Sequence, residues 1–319
     1  MIGRALILRT AALGPIEKTV RRSRLFKPLV SRFIAGDNLD EALAASTKLL
    51  DKNLNVTLDY LGENTSSEDE AMSARSTYIE MLRSIGGLPS VQSFAAADPT
   101  AFQPEPLNIS IKLTQCGMDQ GTAFAEANYR QVVEFAAQSS NFVRVDMESS
   151  EYTDRTLEIV TRVLETHKNT GTVLQSYLHR NDNDVDLMIG LQARVRLVKG
   201  AYLEPSSVAY PEKEKVDEAF VRQSKRLLSH GFYPAIATHD EAIIRELTRY
   251  VEQEKLDKGR FEFQMLYGIR RDLQESLRGD GYNVRIYVPF GDKWYPYFTR
   301  RLAERPANAF FIVRSLFKG

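Results

Sequence analysis

Short runs rich in β-branched and aromatic residues alternate along the chain with longer stretches whose apolar positions recur at helical spacing. Eight runs predict strands, at residues 56–60, 109–113, 142–147, 172–177, 194–198, 233–237, 261–265 and 284–288. The stretches between them predict helices, among them 124–138, 154–167, 216–228, 241–253 and 270–277. A strand followed by a helix, repeated about eight times, is typical of an α/β chain whose parallel sheet closes into a (βα)8 barrel.

An open, doubly wound sheet is the alternative that the same alternation allows. The chain contains no G-x-G-x-x-G and no G-x-x-x-x-G-K-[ST] motif, so no dinucleotide or triphosphate loop supports that alternative. We therefore expect a TIM-like barrel over residues 51–319, preceded by a helical extension over residues 1–50 in which residues 39–50 form a helix. A capping box from Ser67 to Glu70 predicts another helix start.

The segment 18–34 has two interpretations. It mixes apolar residues with basic ones, which are Arg21, Arg22, Arg24, Lys27 and Arg32. We favour helices packed on the barrel, and the alternative is a basic amphipathic segment on an anionic membrane surface. Charge interrupts the first apolar run, and no run approaches the ~20 residues of a spanning helix. We expect a cytoplasmic protein with at most a peripheral membrane contact.

Composition excludes several classes of function. The 42 basic and 42 acidic side chains cancel, which argues against a nucleic-acid binder that relies on a positive field. The single cysteine, Cys116, excludes an internal disulfide and fits a reducing compartment. The four histidines form no metal-spaced cluster with it, so we expect no metal.

Polar residues collect where the predicted strands end, which is the face that carries the active site in barrel enzymes. They are Asp59, Glu63, Lys112, Asp146, Glu148, Gln175, Arg196, Lys199, Thr238, His239, Gln264 and Tyr287. Any one of them is more often structural than catalytic, because strand ends meet solvent. Together, without a Ser-His-Asp set or a metal cluster, they indicate a site for a negatively charged or electron-rich ligand.

Three of these residues leave alternatives open. Lys112 and Lys199 each fit a Schiff-base lysine, although an ion pair with a neighbouring carboxylate is the interpretation that we favour. His239 fits either a general base or a hydrogen-bond partner of a cofactor.

A second pattern lies near the C-terminus. Tyr297, Arg300, Arg301 and Glu304 stand at i, i+3, i+4 and i+7, so on a helix they share one face. Two adjacent guanidinium groups beside a phenol can hold a small carboxylate, and Glu304 can orient one of them. The alternative is a solvated helix face with an ordinary Arg-Glu pair.

These residues resemble those of the proline dehydrogenase family, the flavin-dependent enzymes that oxidise L-proline. The resemblance runs through Tyr60-Leu61-Gly62-Glu63, the ISIKL run at 109–113, VDME at 145–148, LQSY at 174–177, RLVKGAY at 196–202, ATH at 237–239, EFQML at 262–266, RIY at 285–287 and YFTRRLAE at 297–304. It implies a distorted (βα)8 barrel that binds FAD without a Rossmann fold. RLVKGAY and the Arg-Arg helix are the most specific of these motifs.

The resemblance also implies roles by position. Arg300 and Arg301 would bind the substrate carboxylate, Tyr287, Tyr297 and Leu266 would pack around its ring with Lys112 beside them, and Glu63 would pair with Arg300 as a gate. Contacts with FAD would come from Val145, Gln175, Arg196, Lys199, Gly200, Ala201, Thr238 and His239. Asp146 would orient Lys112 and the flavin neighbourhood, and Arg196 would stabilise negative charge on the reduced flavin.

The implied reaction is FAD-dependent oxidation of L-proline to Δ1-pyrroline-5-carboxylate by hydride transfer, the first step of proline catabolism, with electrons passed to a quinone. The chain resembles the monofunctional bacterial branch, whose product goes to a separate pyrroline-5-carboxylate dehydrogenase. One departure is Leu203-Glu204-Pro205, where the family often has an aromatic-acid pair. The rival functions are a folate-linked barrel reductase, a Schiff-base lyase and a non-enzymatic barrel that only binds an acidic metabolite.

Overall fold

Eight parallel strands close into a barrel in the computed structural model, which describes residues 17, 20–21, 26–96 and 102–303. The strands are β1 (Asn55–Tyr60), β2 (Leu107–Ile111), β3 (Val143–Val145), β4 (Thr170–Gln175), β5 (Arg194–Val198), β6 (Ala235–Ala237), β7 (Glu262–Leu266) and β8 (Asn283–Phe290). Each strand pairs with the next in sequence, and β8 pairs with β1 from Asn55 opposite Arg285 to Tyr60 opposite Phe290. The predicted TIM-like barrel is confirmed.

A helix follows every strand. The helices are α1 (Lys27–Val30), α2 (Leu39–Leu50), α3 (Glu68–Gly86), α4 (Pro89–Ala95), α5 (Thr122–Ala137), α6 (Ser150–Leu164), α7 (Asn181–Gly190), α8 (Lys213–His230), α9 (Glu241–Gln253), α10 (Arg271–Gly279) and α11 (Tyr295–Ala303), with a 3-10 turn at Lys258–Arg260. None of the described helices is both long and apolar enough to cross a membrane.

Local side chains fix where two of these helices begin. Asp240 caps α9, since its carboxylate accepts from the backbone N–H groups of Ala242 and Ile243. Ser67 caps α3 by accepting from the N–H of Glu70, as predicted. The return half of the capping box differs by one residue, because the Glu70 carboxylate accepts from the N–H and hydroxyl of Ser66.

The barrel interior is unusually polar. TIM barrels are generally filled by branched apolar side chains, whereas here Arg285 is fully buried and donates to both carboxylate oxygens of Glu262 at 2.8 and 3.1 Å. Glu105, just before β2, accepts two hydrogen bonds from Arg194 at 2.8 and 2.9 Å. Buried charges require such partners because they lose their hydration. These buried ion pairs form a polar layer inside the barrel, below the carboxyl ends of the strands.

The N-terminal segment packs on the barrel. Val20, Phe26 and Phe33 are buried in an apolar cluster with Trp294 and Phe298 at the start of α11. This packing is the interpretation that we favoured over a membrane surface, although Lys18, Arg22 and Arg24 lie outside the described residues. The apolar residues of α2 join the main core instead, and the domain boundary at residue 50 stays a prediction.

Candidate active site

A cavity of about 930 Å³ opens at the carboxyl ends of the strands, where barrel enzymes carry their sites. Most of the residues predicted for the site line it, namely Glu63, Lys112, Asp146, Gln175, Arg196, Lys199, Gly200, Ala201, Thr238, His239, Leu266, Tyr287, Tyr297, Arg300 and Arg301. The side chain of Val145 is buried in the main core below them. Glu304 lies outside the described residues, so its orienting role stays a prediction.

Asp146 is the acceptor at the centre of the cavity floor. Its Oδ1 accepts from Arg196 at 2.6 Å and its Oδ2 accepts from the Tyr287 hydroxyl at 2.7 Å. Lys112 Nζ lies 3.5 Å from Oδ2 and donates to Asp59 Oδ1 at 2.8 Å. One carboxylate thus ties together side chains from β5, β8 and the end of β2.

Lys112 remains a cation in this setting. Burial by itself would lower its pKa, but the carboxylates of Asp59 and Asp146 outweigh burial and raise that pKa well above its ordinary value. Burial in turn raises the pKa of Asp59, opposed by Lys112. Schiff-base chemistry requires a neutral amine with a lowered pKa, so this geometry supports the ion-pair interpretation.

The helix α11 presents its predicted polar face to the cavity. Arg300 donates to Glu63 Oε1 at 2.9 Å across the mouth, so the predicted pair is formed, while its gating role stays a prediction. Burial lowers the pKa of Arg300, but the charge and hydrogen bond of Glu63 and the nearby Tyr202 and Tyr287 together outweigh burial and raise it. The guanidinium of Arg301 lies 5.2 Å from the centre of the Tyr297 ring. Two cations and a phenol therefore converge on one region.

The other end of the cavity is held by β5 and β6. Lys199 forms ion pairs with Asp217 and with Asp240, the latter at 3.2 Å. The Nε2 atom of His239 accepts from the backbone N–H of Leu266 at 2.8 Å. That bond places the ring proton of neutral His239 on Nδ1. With Nε2 already accepting, the ring is better suited to hydrogen-bond donation than to proton abstraction.

Gly200 gives the cavity wall a shape that other residues cannot adopt. Its φ of +116° lies in the region that favours glycine, and an added Cβ would stand 2.3 Å from the Tyr177 ring. Backbone can thus approach a ligand closely between Lys199 and Ala201, which also line the cavity. The volume lies toward the upper end of the ~300–1,000 Å³ that small-molecule and cofactor sites occupy. These features fit a large cofactor such as FAD beside a small substrate.

Several lining residues were not predicted as part of the site. Lys213, Lys293 and Tyr202 lie away from strand ends, so the strand-end signal misses them. Asp59 and Gln264 belong to the strand-end group that indicated the site, and both line the cavity, although the sequence assigned neither of them an individual role. Among the described residues, no group of three histidine, cysteine, aspartate or glutamate side chains is arranged to hold a metal ion.

The fold and cavity define a (βα)8-barrel enzyme whose site suits a small carboxylate ligand. The sequence profile of the Proline dehydrogenase family matches residues 42–314. The chain is 37% identical over 315 residues to "Proline dehydrogenase" of Deinococcus radiodurans, covering 97% of this chain and 96% of that protein. It is 34% identical over 320 residues to "Proline dehydrogenase 2" of Bacillus subtilis strain 168, covering both completely. The chain belongs to the proline dehydrogenase family.

Longer proteins share the same region. "Bifunctional protein PutA" of Escherichia coli K12 is 28% identical over 327 residues, which cover 89% of this chain but 24% of that protein. The crystal structure of proline utilization A from Bdellovibrio bacteriovorus, inactivated by N-propargylglycine, superposes with a TM-score of 0.79 at 24% identity. That match covers 94% of this chain and 36% of the other, and it supports the fold.

Proposed function

We propose that this protein oxidises L-proline to Δ1-pyrroline-5-carboxylate with FAD as the electron acceptor, the first step of proline catabolism. The observation that carries the proposal is that one cavity combines the Arg300-Arg301 face of α11 with the Arg196-Asp146 floor, in a chain from the proline dehydrogenase family. Arg300 and Arg301, which we call the carboxylate clamp, would by themselves suit many metabolites that carry a carboxylate. The clamp above a deep, partly apolar cavity suits an amino acid that must meet a cofactor.

The clamp binds the substrate's carboxylate. Arg300 and Arg301 supply paired N–H donors, and charge-assisted bonds of this kind also fix orientation. Tyr297, Tyr287 and Leu266 form the wall against which the pyrrolidine ring packs. The Glu63–Arg300 pair closes the mouth above the ring and excludes water.

Residues on the opposite side of the cavity would hold the cofactor. They are Gln175, Arg196, Lys199, Gly200, Ala201, Thr238 and His239, which line the cavity, together with the backbone at Val145, the last residue of β3. When bound, FAD would supply the acceptor for the hydride that leaves ring carbon C5 of proline, and the amine nitrogen would lose a proton as the C=N bond of the product forms. Arg196 contributes positive charge on the floor, where it favours the accumulation of electrons. Asp146 keeps Arg196 and Tyr287 in place.

The charge state of the floor favours this chemistry over a lyase. Lys112 is held as an ammonium group between two carboxylates, so it supports the site electrostatically instead of attacking a carbonyl. Borohydride trapping with substrate tests the difference, since a lyase would be inactivated covalently at a lysine. We expect no such adduct.

Two further parts of the proposal concern the fate of the electrons and of the product. Electrons pass to a quinone, for which the basic residues near the N-terminus offer a peripheral membrane contact, and the product passes to a separate pyrroline-5-carboxylate dehydrogenase. Arg21 is only partly available for such a contact, because its guanidinium stacks on Trp294 at 4.9 Å and donates to the Asp292 carbonyl at 2.7 Å. Unchanged vesicle binding after replacement of Arg21, Arg22 and Arg24 would contradict the membrane contact.

The visible spectrum of the purified protein tests the central claim. We expect flavin absorption in the protein as isolated or after incubation with FAD, and loss of that absorption when L-proline is added without oxygen. Acetate, which carries the carboxylate but no ring, is the control and should leave the spectrum oxidised. A protein that takes up no FAD, or whose flavin proline fails to reduce, would refute the proposal.

A further inference from the structure

The guanidinium of Arg196 is held by partners on several sides. NH1 donates to Asp146 at 2.6 Å, NH2 donates to Ser110 at 3.0 Å, and Nε donates to the side-chain oxygen of Gln264. Arg196 is 4% exposed, and its guanidinium carbon lies 5.1 Å from the centre of the Tyr287 ring. A planar group with donors engaged in three directions has little freedom to rotate.

Gln264 can accept the hydrogen bond from Arg196 only if its amide oxygen, and not its NH2 group, faces the guanidinium. An amide can present either its oxygen or its NH2 group to a neighbour, and two donors facing each other repel. The Nε2 of Gln264 donates to Glu262 Oε1, two residues earlier on β7, which leaves the amide oxygen toward Arg196. An ionised carboxylate can only accept and an arginine can only donate, so the chemistry of the two neighbours fixes the amide's direction.

Glu262 is itself fixed from below. Arg285 donates to both of its oxygens, and the Tyr233 hydroxyl donates to Oε2 at 3.2 Å. Burial raises the pKa of Glu262, but the charges of Arg285 and Arg194 and the hydrogen bonds to Glu262 together outweigh burial and lower it, so the group stays an anion. The fully buried Arg285 also donates to the backbone carbonyls of Val56 and Glu105, which ties it to the lower barrel.

We propose that Gln264 is a positioning residue for Arg196 and that Glu262, at the bottom of the barrel interior, sets the orientation of Gln264. A chain of hydrogen bonds runs from the buried core to the cavity floor, with donors and acceptors alternating along it. Its members, in order, are Arg285, Glu262, Gln264, Arg196 and Asp146. This chain of hydrogen bonds holds a fixed cation, the Arg196 guanidinium, on the cavity floor, where the proposed flavin would bind. This inference rests on the proposed function, because it assigns a task to the residue that faces the cofactor.

Replacement of Gln264 by methionine tests the first part of the proposal, that Gln264 positions Arg196. Gln264→Met keeps the length of the side chain and removes the acceptor, so Arg196 loses one of its fixed directions. Because Arg196 loses one of the hydrogen bonds that orient it, we expect roughly a tenfold fall in the rate of flavin reduction at saturating proline, which corresponds to about 1.4 kcal/mol. The KM for proline should change by less than about twofold, since the carboxylate clamp is untouched.

The matched control is Gln223→Met. Gln223 is also a buried glutamine that accepts from one side chain and donates to another, Asn181 at 2.8 Å and Asp182 at 3.3 Å, but it lies on α8 outside the cavity. Its replacement removes comparable hydrogen bonds and should leave flavin reduction unchanged. A rate in Gln264→Met equal to that of the wild type, or a fall of the same size in the control, would overturn the inference.

A second variant guards against a failure of Gln264→Met to fold. Gln264→Glu has nearly the same shape and places a carboxyl group between Arg196 and Glu262, with Arg285 facing it from β8 and Asp146 beyond Arg196. In an equilibrium redox titration run at a pH high enough to ionise both this carboxyl group and Glu262, the added negative charge should shift the midpoint potential of the bound flavin to more negative values, and the measurement needs no proline. An unchanged potential would contradict a role for Gln264 at the cofactor.

Glu262→Gln tests the second part of the proposal, that Glu262 orients Gln264. A neutral amide at this position can both donate and accept, so it no longer fixes the direction of the Gln264 amide. We expect slower flavin reduction in the same direction as in Gln264→Met, and a wild-type rate would remove Glu262 from the inference. The outcomes also separate the two proposals. A wild-type protein that binds flavin without being reduced by proline refutes the proposed function, while the redox titration still decides the role of Gln264.

Discussion

Removal of the guanidinium at Arg301 should weaken proline binding far more than it slows the chemistry. In the structure Arg300 shares its charge with Glu63, whereas Arg301 lies against the Tyr297 ring on the same face of α11. Charge-assisted hydrogen bonds contribute about 1.5–3 kcal/mol. The loss of about 1.5–3 kcal/mol in Arg301→Met corresponds to a roughly 12- to 140-fold rise in KM, at about 1.4 kcal/mol per factor of ten.

Arg196→Met provides the contrast, because Arg196 lies on the floor and not in the clamp. We expect its loss to slow flavin reduction at saturating proline by about a hundredfold, as the loss of a positioned charge-stabilising donor does in other enzymes. Anaerobic stopped-flow reduction over a range of proline concentrations separates the two parameters. Arg271→Met, an exposed arginine at the start of α10, is the matched control and should change neither.

The result that would refute this reasoning is one in which both variants change the same parameter by the same factor. A KM for Arg301→Met within twofold of the wild type would remove the clamp from the mechanism. Equal effects on the reduction rate would mean that the two arginines act as one unit, contrary to their separate places in the cavity.

Three further predictions concern cofactor retention and stability. Gly200→Ala forces a Cβ to within 2.3 Å of the Tyr177 ring, so flavin content after gel filtration should fall, and full retention would argue against a cofactor wall there. Burial raises the pKa of Glu148 from 4.5 to about 7. The native state thus keeps its proton longer than the unfolded chain, and stability is lost as pH rises from about 4.5 to about 7. In urea unfolding, the free energy of unfolding of the wild type should fall by up to about 3 kcal/mol over this pH range, and that of Glu148→Gln should not show this fall. An identical pH dependence in both proteins would contradict the prediction. Glu105→Gln should cost about 3 kcal/mol in the same assay by leaving the buried Arg194 without its carboxylate, and a cost near zero would contradict the pairing.

The order of elements could be predicted from the sequence because strand and helix periods are local properties. The helix at Leu39–Leu50 and the helix at Glu241–Gln253 begin and end at the predicted residues. Where a helix start moved, as for Ser150 against a predicted 154, a contact with a loop holds the first turn. The Glu204 carboxylate accepts from the N–H of Ser150 at the first turn of that helix, and a partner 54 positions away leaves no local signal.

The sequence by itself determined the kind of site, because strand ends of a closed parallel barrel must meet at one face. It also determined the shared face of Tyr297, Arg300 and Arg301, which follows from helical spacing. Only the tertiary structure decided how the charges pair. The ion pair of Lys112 with Asp59, the pair of Arg285 with Glu262 and the hydrogen bond from Arg196 to Gln264 each join residues from different strands. Side-chain spacing along one strand cannot encode such contacts, since each depends on the register that barrel closure imposes.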